Sequence, residues 1–254
     1  MCTLIVAFQQ DRRWPIVVAA NRDERLGRAA EGWALRTARD GGRAAWPRDL
    51  LGGGTWIGLS ARGVFAALTN YHAPEEWYPD PDRRSRGELV ELALAAPDAE
   101  GARADLVRRP AEAWNPFHLV VADARAAFLW WYDGARSGLE ALAPGLHIVT
   151  ESDRAGRGPR AELVRARWPL DGSLERLRDL LAVHADAAPE PAAATCIHGD
   201  PLYGTRSSTL LRLAPDLAAS ELFVSETRPC LGTFEDRSDL VAALARSRAG
   251  ADPA

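Results

Sequence analysis

The chain opens with two apolar runs joined by a short polar turn, and that opening restricts the folds available to everything behind it. Residues 3–8 (Thr-Leu-Ile-Val-Ala-Phe) and 15–20 (Pro-Ile-Val-Val-Ala-Ala) flank the polar segment 9–13. Short, continuous apolar segments bounded by turn residues read as a β-hairpin buried on at least one face, which requires a covering layer. The same signal returns along the chain. Residues 52–59 and 64–70 predict a second hairpin turning at 60–63, residues 117–121 and 127–132 flank a turn at Asp123, and 146–149 adds a strand. Between these lie helical patterns. Residues 85–96 carry a candidate Ser85 cap with Glu88 three positions on, then Leu89, Leu92 and Ala96 on one face. Further helices are expected at 98–109, 159–168 and 173–185, the last with Leu174, Leu177, Leu180 and Leu181 at helical spacing. After a Pro/Ala-rich loop at 187–194 come strands at 208–213 and 222–226 and a helix near 236–246. Strands, helices, strands, helices, strands: this order predicts an α+β protein with antiparallel sheets covered by helices.

Composition narrows the function classes. A chain of 254 residues, 47% hydrophobic and 26% charged, buries one large core, so residues 1–254 are expected to form a single domain. The net charge of −4 leaves no overall basic footprint for nucleic acid or an anionic membrane. No apolar stretch reaches the ~20 residues of a membrane span, and the N-terminus lacks a secretory layout, which predicts a cytoplasmic location. Three cysteines, Cys2, Cys196 and Cys230, make no disulfide framework and contain no Cys-x-x-Cys. Cys196-x-His198, with His72, His118, His147 and His184 scattered elsewhere, lacks metal-ligand spacing, so neither metal nor cofactor is expected. The glycine run at 52–58 lacks the Lys-Ser/Thr of a phosphate-binding loop and reads as hairpin geometry. Nine tryptophans read as packing, with Trp56 and Trp77 as candidates to line an apolar ligand pocket.

Cys2 is the residue richest in chemistry. Removal of Met1 exposes its α-amine beside its own thiol, and groups titrating near ~8 and ~8.5 make a self-contained nucleophile and base. The competing reading is a small buried residue of the first strand. Asn21-Arg22-Asp23-Glu24 follows the second strand directly. There Asn21 and Asp23 read either as turn formers or as site residues, while Arg22 and Glu24 point to the opposite face, where a structural ion pair is the simpler reading. Asn70 ends a strand, as a turn residue or an oxyanion donor; Arg206 sits in a polar stretch, as a surface ion-pair partner or a site residue.

Several motifs in order carry a resemblance. Met1-Cys2-Thr3, Asn21-Arg22-Asp23-Glu24, Leu68-Thr69-Asn70-Tyr71, Ser85-Arg86-Gly87, Asn115-Pro116-Phe117 and Tyr203-Gly204-Thr205-Arg206-Ser207-Ser208 resemble the NRDE family, the transport and Golgi organisation proteins. More distantly, Cys2, Asn21, Asp23 and Asn70-Tyr71 are similar to N-terminal-nucleophile hydrolases of the choloylglycine and penicillin V acylase type. That resemblance implies an αββα sandwich and an amidohydrolase acting on a small acylated substrate. In it Cys2 is the nucleophile, Asp23 orients its amine, Asn70 donates to the oxyanion and Arg206 lowers the thiol pKa or grips a carboxylate; Asn21, Arg22, Tyr71 and Glu151 complete the substrate site. Two positions depart from the acylase pattern: Ala20 stands where those enzymes carry an arginine, and Glu151 where they carry an asparagine. A carboxylate donates to an oxyanion only when protonated; Glu151 either binds an amine-bearing ligand or lies one residue away from the true match. The family is also associated with haem movement and lipid or acyl-CoA metabolism, which implies a second reading as a non-catalytic binding or trafficking protein. Acyl transfer in biosynthesis is a third, since it shares the acyl-enzyme.

Overall fold

The computed structural model describes residues 2–72, 79–198 and 200–249; Trp77 lies outside them. The opening hairpin forms as expected from β1 (Thr3–Phe8) and β2 (Ile16–Arg25). It sits inside a six-stranded sheet in the order β10-β1-β2-β11-β12-β13, with β10 at Gly145–Thr150, β11 at Tyr203–Leu213, β12 at Glu221–Ser225 and β13 at Glu235–Asp236. A second sheet of seven strands runs in chain order from β3 (Ala30–Thr37) through β4 (Arg43–Asp49), β5 (Ile57–Ser60), β6 (Phe65–Asn70), β7 (Phe117–Ala122) and β8 (Ala127–Tyr132) to β9 (Ser137–Ala141). Every pairing between neighbouring strands is antiparallel.

The period-two alternation of the strands distributes the core into three layers. From β1 and β2, Leu4, Val6, Phe8, Ile16 and Val18 point at the other sheet and meet Ile57, Leu59, Phe65 and Val120. The residues between them, Ile5, Ala7, Val17 and Ala19, point outward against Leu163 and Val164 of α3 (Pro159–Arg167) and Leu177 and Leu180 of α4 (Leu174–Leu181). On the far side, Ala66, Leu68, Leu119 and Val121 meet Leu89, Val90 and Leu94 of α1 (Gly87–Leu94) and Leu106 of α2 (Ala99–Leu106). Helix, sheet, sheet, helix: the αββα sandwich is present. Each fully buried aliphatic side chain in these layers contributes about 1.5–3 kcal/mol. The last helix, α5 (Ser238–Ala249), is different: Leu240, Val241 and Leu244 join the layer between the sheets.

Three details differ from the sequence reading. The polar tetrapeptide Asn21 to Glu24 is not a turn; it continues β2, because β11 extends far enough to pair Asn21 with Ser208, Asp23 with Thr205 and Arg25 with Tyr203. Strands β3, β4, β9 and the two-residue β13 are additional to the expected set: their mixed polarity and, for β3, β9 and β13, an edge position hide the alternation. Ser85 does not cap α1; Arg86 occupies that position without a side-chain bond, and the Glu88 carboxylate is taken by Arg84 and Arg39. The start of α1 instead rests on glycines. A Cβ on Gly54 would lie 2.6 Å from the Gly87 carbonyl carbon, so only glycine lets this loop approach the helix.

Candidate active site at Cys2

Strand register alone gathers most of the candidates. Thr3 lies between Thr150 of β10 and Asn21 of β2, and β2 in turn lies against Thr205 to Ser208 of β11. Cys2 therefore enters beside Asp23 and next to Glu151. Its S–H donates to the Asp23 carbonyl oxygen at 3.7 Å. It lines a narrow cavity of about 20 Å³ with Ala20, Arg22, Trp56, Thr69 and Ser207, between the two sheets. Burial pushes the thiol pKa up, and the Arg22 guanidinium works in the opposite direction.

Asp23 faces the other way, toward α3. Its Oδ1 accepts the Thr205 hydroxyl at 2.5 Å, whereas Oδ2 is buried with no hydrogen-bond partner among the described residues. Burial raises this carboxyl to about 6, against the Thr205 bond and the Arg160 charge, which favour the anion. Arg160 projects from α3 and is itself buried; it lies 3.6 Å from Glu151 and donates to Ala194 O at 2.7 Å and Thr3 Oγ1 at 3.3 Å. Asp23, Arg160 and Glu151 thus form one buried charge group in which a single cation serves two carboxylates. Glu151 Oε2, like Asp23 Oδ2, is buried with no hydrogen-bond partner among the described residues.

The remaining candidates separate by face. Asn21 is fully engaged by the scaffold: its amide donates to Leu181 O at 2.9 Å and Thr195 O at 2.7 Å, and its Oδ1 accepts from Ser208 at 2.6 Å. No N–H remains for a substrate. Arg22 stacks on Trp56 at 4.0 Å and lies 3.8 Å from Asp49, while Glu24 lies 3.8 Å from Arg28, so the two are not paired with each other. Arg206 donates to the Leu26 carbonyl and lines an adjoining cavity of about 240 Å³ that shares Arg22, Trp56 and Ser207 with the Cys2 pocket. Asn70 ends β6, half-buried, and Tyr71 follows it, with its ring 5.1 Å from that of His118. His72 N donates to Glu151 O at 2.8 Å, tying this segment to the end of β10. His118 is buried and neutral: its Nδ1 donates to Thr150 O at 3.0 Å, and burial holds its pKa down at about 4.

Two arginines join the site without having been candidates. Arg86 is half-buried beside it, its guanidinium donating to Pro116 O at 3.1 Å. Burial lowers it to about 10, while its interaction with Cys2 acts the opposite way. Its only signal in the sequence is membership of the Ser85-Arg86-Gly87 motif. Arg160 has none, since a single arginine in a polar helix does not reveal which way it points. A second, wider groove of about 720 Å³ lies at the opposite end of the strands, lined in part by Arg43, Arg62, Asp98, Asp123, Arg125 and Arg248. It holds none of the Cys2 chemistry.

Comparison with known proteins fits this arrangement. Residues 1–220 match the family described as Transport and Golgi organisation 2. The chain belongs to that family. The cow homolog named Transport and Golgi organization protein 2 is 31% identical, covering 85% of this chain and 90% of that protein. The mouse homolog is 33% identical over 83% of this chain and 88% of its own length. Among solved structures, a Caenorhabditis elegans N-acylethanolamine-hydrolyzing acid amidase ortholog superposes with a TM-score of 0.58 at 13% identity, covering 83% of this chain and 92% of the other. Penicillin V acylase from Agrobacterium tumefaciens gives a TM-score of 0.52 at 15% identity, covering 89% and 83%. At such identities the likeness is one of fold: the αββα sandwich of this family member is shared with that acylase and that amidase. No helix among the described residues is long and apolar enough to cross a membrane.

Proposed function

We propose that this family member is an N-terminal-cysteine amidohydrolase that cleaves the C–N bond of a small acylated substrate. The observation that carries the reading is the contact of the Cys2 thiol with the main-chain carbonyl of Asp23, a residue whose buried carboxylate leaves Oδ2 with no hydrogen-bond partner among the described residues. A buried carboxylate oxygen left unpaired is costly, and the neutral α-amine exposed by Met1 removal supplies an N–H for it while keeping a lone pair for the thiol proton. In the reaction, the Cys2 sulfur forms a bond to the amide carbonyl carbon, its proton passes through the α-amine to the departing nitrogen, and the C–N bond breaks. Water then breaks the S–C bond, releases the acid and returns the proton to the thiol.

The other residues take roles that their positions support. Arg22 and Arg86 place positive charge beside a thiol that burial otherwise holds protonated, filling the part of the arginine that acylases carry at the position of Ala20. Asn70 donates to the developing oxyanion, an interaction worth about 2.7–4 kcal/mol in comparable sites. Asn21 and Glu151 act through the scaffold: one pins β2 to α4 and β11, the other shares Arg160 with Asp23. Arg206, in the adjoining cavity, meets the far end of the substrate.

Intact mass of the purified protein, taken before and after incubation with acyl amides, β-lactams and acyl thioesters, tests this directly. Loss of Met1 together with an acyl adduct that is absent from Cys2→Ala is the expected result. Retained Met1, or a processed chain that never acylates, overturns it and turns attention to haem and acyl-CoA binding.

A further inference from the structure

A second group of reactive side chains lies on the loops beyond the outer end of α4. His184 follows that helix, Cys196 and His198 lie in the segment leading to β11, and Cys230 lies in a short 3-10 turn after β12. Each offers one donor atom, and the four atoms fall within 4.8 Å of one another. His198 Nε2 is 3.2 Å from Cys196 Sγ and 3.1 Å from Cys230 Sγ, and the two imidazole rings are 4.3 Å apart between centroids. Zn–S bonds of ~2.3 Å and Zn–N bonds of ~2.0 Å set the donors of a tetrahedral site about 3.3–3.8 Å apart, so this group needs a contraction of about 1.5 Å at most.

An independent observation points the same way. His184 Nε2 is buried and has no hydrogen-bond partner among the described residues, while its Nδ1 lies 3.9 Å from the Asp186 carboxylate. An imidazole with one nitrogen turned toward a carboxylate and the other bare is the arrangement in which histidine ligates a metal. We propose that His184, Cys196, His198 and Cys230 form a structural Cys₂His₂ site for a thiophilic divalent cation, with zinc the ion that fits its donor set. This departs from the expectation of no metal, which rested on sequence spacing alone; the donors come from three separate loops and share no motif.

The charges balance. The two thiols each lose a proton to become thiolates, both histidines bind neutral, and a divalent ion leaves the site uncharged. Uptake therefore releases the two thiol protons and weakens as pH falls. Arg228 and Asp186, the charges acting on His198 besides His184, oppose each other. The site also reaches the catalytic centre. Ile197 N donates to Thr205 Oγ1 at 2.8 Å, the same hydroxyl that donates to Asp23, and Thr195 O receives the Asn21 amide. A metal on Cys196 and His198 clamps the segment that holds both.

The test is metal uptake by the full-length protein. After reduction and chelation under argon, Co²⁺ is titrated and followed by absorbance. One equivalent per chain is expected, with thiolate-to-cobalt charge transfer and the intense visible bands of a tetrahedral ion, discharged by stoichiometric Zn²⁺. Cys230→Ser and His198→Gln, the latter at an exposed position, should each weaken binding at least 100-fold while circular dichroism stays native. A reduced protein that gives no such spectrum overturns the proposal, including one that isolates with a Cys196–Cys230 disulfide and takes up no metal once reduced. So does a Cys230→Ser or His198→Gln protein that binds as tightly as the original.

Discussion

The two cysteine-bearing regions of this molecule are held in opposite ways. Around Cys2 the backbone does the positioning: β1, β2, β10 and β11 are hydrogen-bonded neighbours, so Thr3, Asn21, Thr150 and Ser208 are fixed by register before any side chain interacts. Around Cys196 the donors sit on three loops with no common ladder, and an unpaired imidazole nitrogen remains inside the group. A ladder of main-chain bonds tolerates a buried, unpaired carboxylate at Asp23 because the strand cannot relax away from it. Loops have no such rigidity, and need a ligand to hold converging thiols and imidazoles in place.

The sharpest way to break the comparison is Cys2→Ala. Acyl-adduct formation should vanish while cobalt uptake stays at one equivalent; loss of both would mean that the regions are one site. Asp23→Asn should slow acylation by about 100-fold or more, in the range of removing a positioned acid–base partner. In the chain that retains Met1, the same change should stabilise the fold. Burial raises the Asp23 pKa from 3.8 to about 6, so the native state resists ionisation and loses stability as pH rises between those values. Relief of that penalty is worth about 2–3 kcal/mol at neutral pH, at 1.36 kcal/mol per unit, and nothing below about pH 4, where both states are protonated. His118 has the opposite sign. Its pKa falls from 6.5 to about 4 on burial, so its contribution is intact above 6.5 and is lost as pH falls through that window. Urea unfolding of Asp23→Asn between pH 4 and 7 should therefore show a steeper rise with pH than the parent protein, in which the two groups offset each other.

Arg160→Gln should cost about 3–5 kcal/mol by chemical denaturation, since it leaves Asp23 and Glu151 buried without their shared cation. Arg86→Gln should move the pH dependence of Cys2 alkylation upward and slow it about 10-fold at pH 7, an effect of about 1.4 kcal/mol. Smallest of all, Cys230→Ser should change Cys2 alkylation only a few-fold, through Ile197, Thr205 and Asp23. A change as large as that of Arg86→Gln would show that the staple governs the active site directly.

What can be read in advance follows from what is local. The hairpin of residues 3–20, the strands on either side of Asp123 and the helices near 85–109 and 159–181 are legible because apolar spacing records which face is buried. Cys2 and Asp23 are legible as candidates through their place in ordered motifs, and Glu151 as a departure from the acylase pattern. The turn reading of Asn21 to Glu24 fails because the partner that makes it a strand, Tyr203 to Ser208, lies about 180 residues away in the chain. Strands β3 and β9 escape a sequence reading because partial exposure at the sheet edges erases the alternation, and β4 because its buried residues, Ala44 to Pro47, run on without alternation and include a proline.

By itself, then, the sequence determined the layers: alternating and helical apolar periods specify which surfaces must meet, and the αββα sandwich buries them all. It also determined that a thiol stands at the second position of the chain. Only the tertiary structure decided which charges surround that thiol, turned Asn21 from a substrate contact into a pin, set Arg160 between Asp23 and Glu151, and drew His184, Cys196, His198 and Cys230 together. Burial patterns are written in neighbouring residues, whereas electrostatics and metal chemistry depend on distances across space between residues that are remote along the chain.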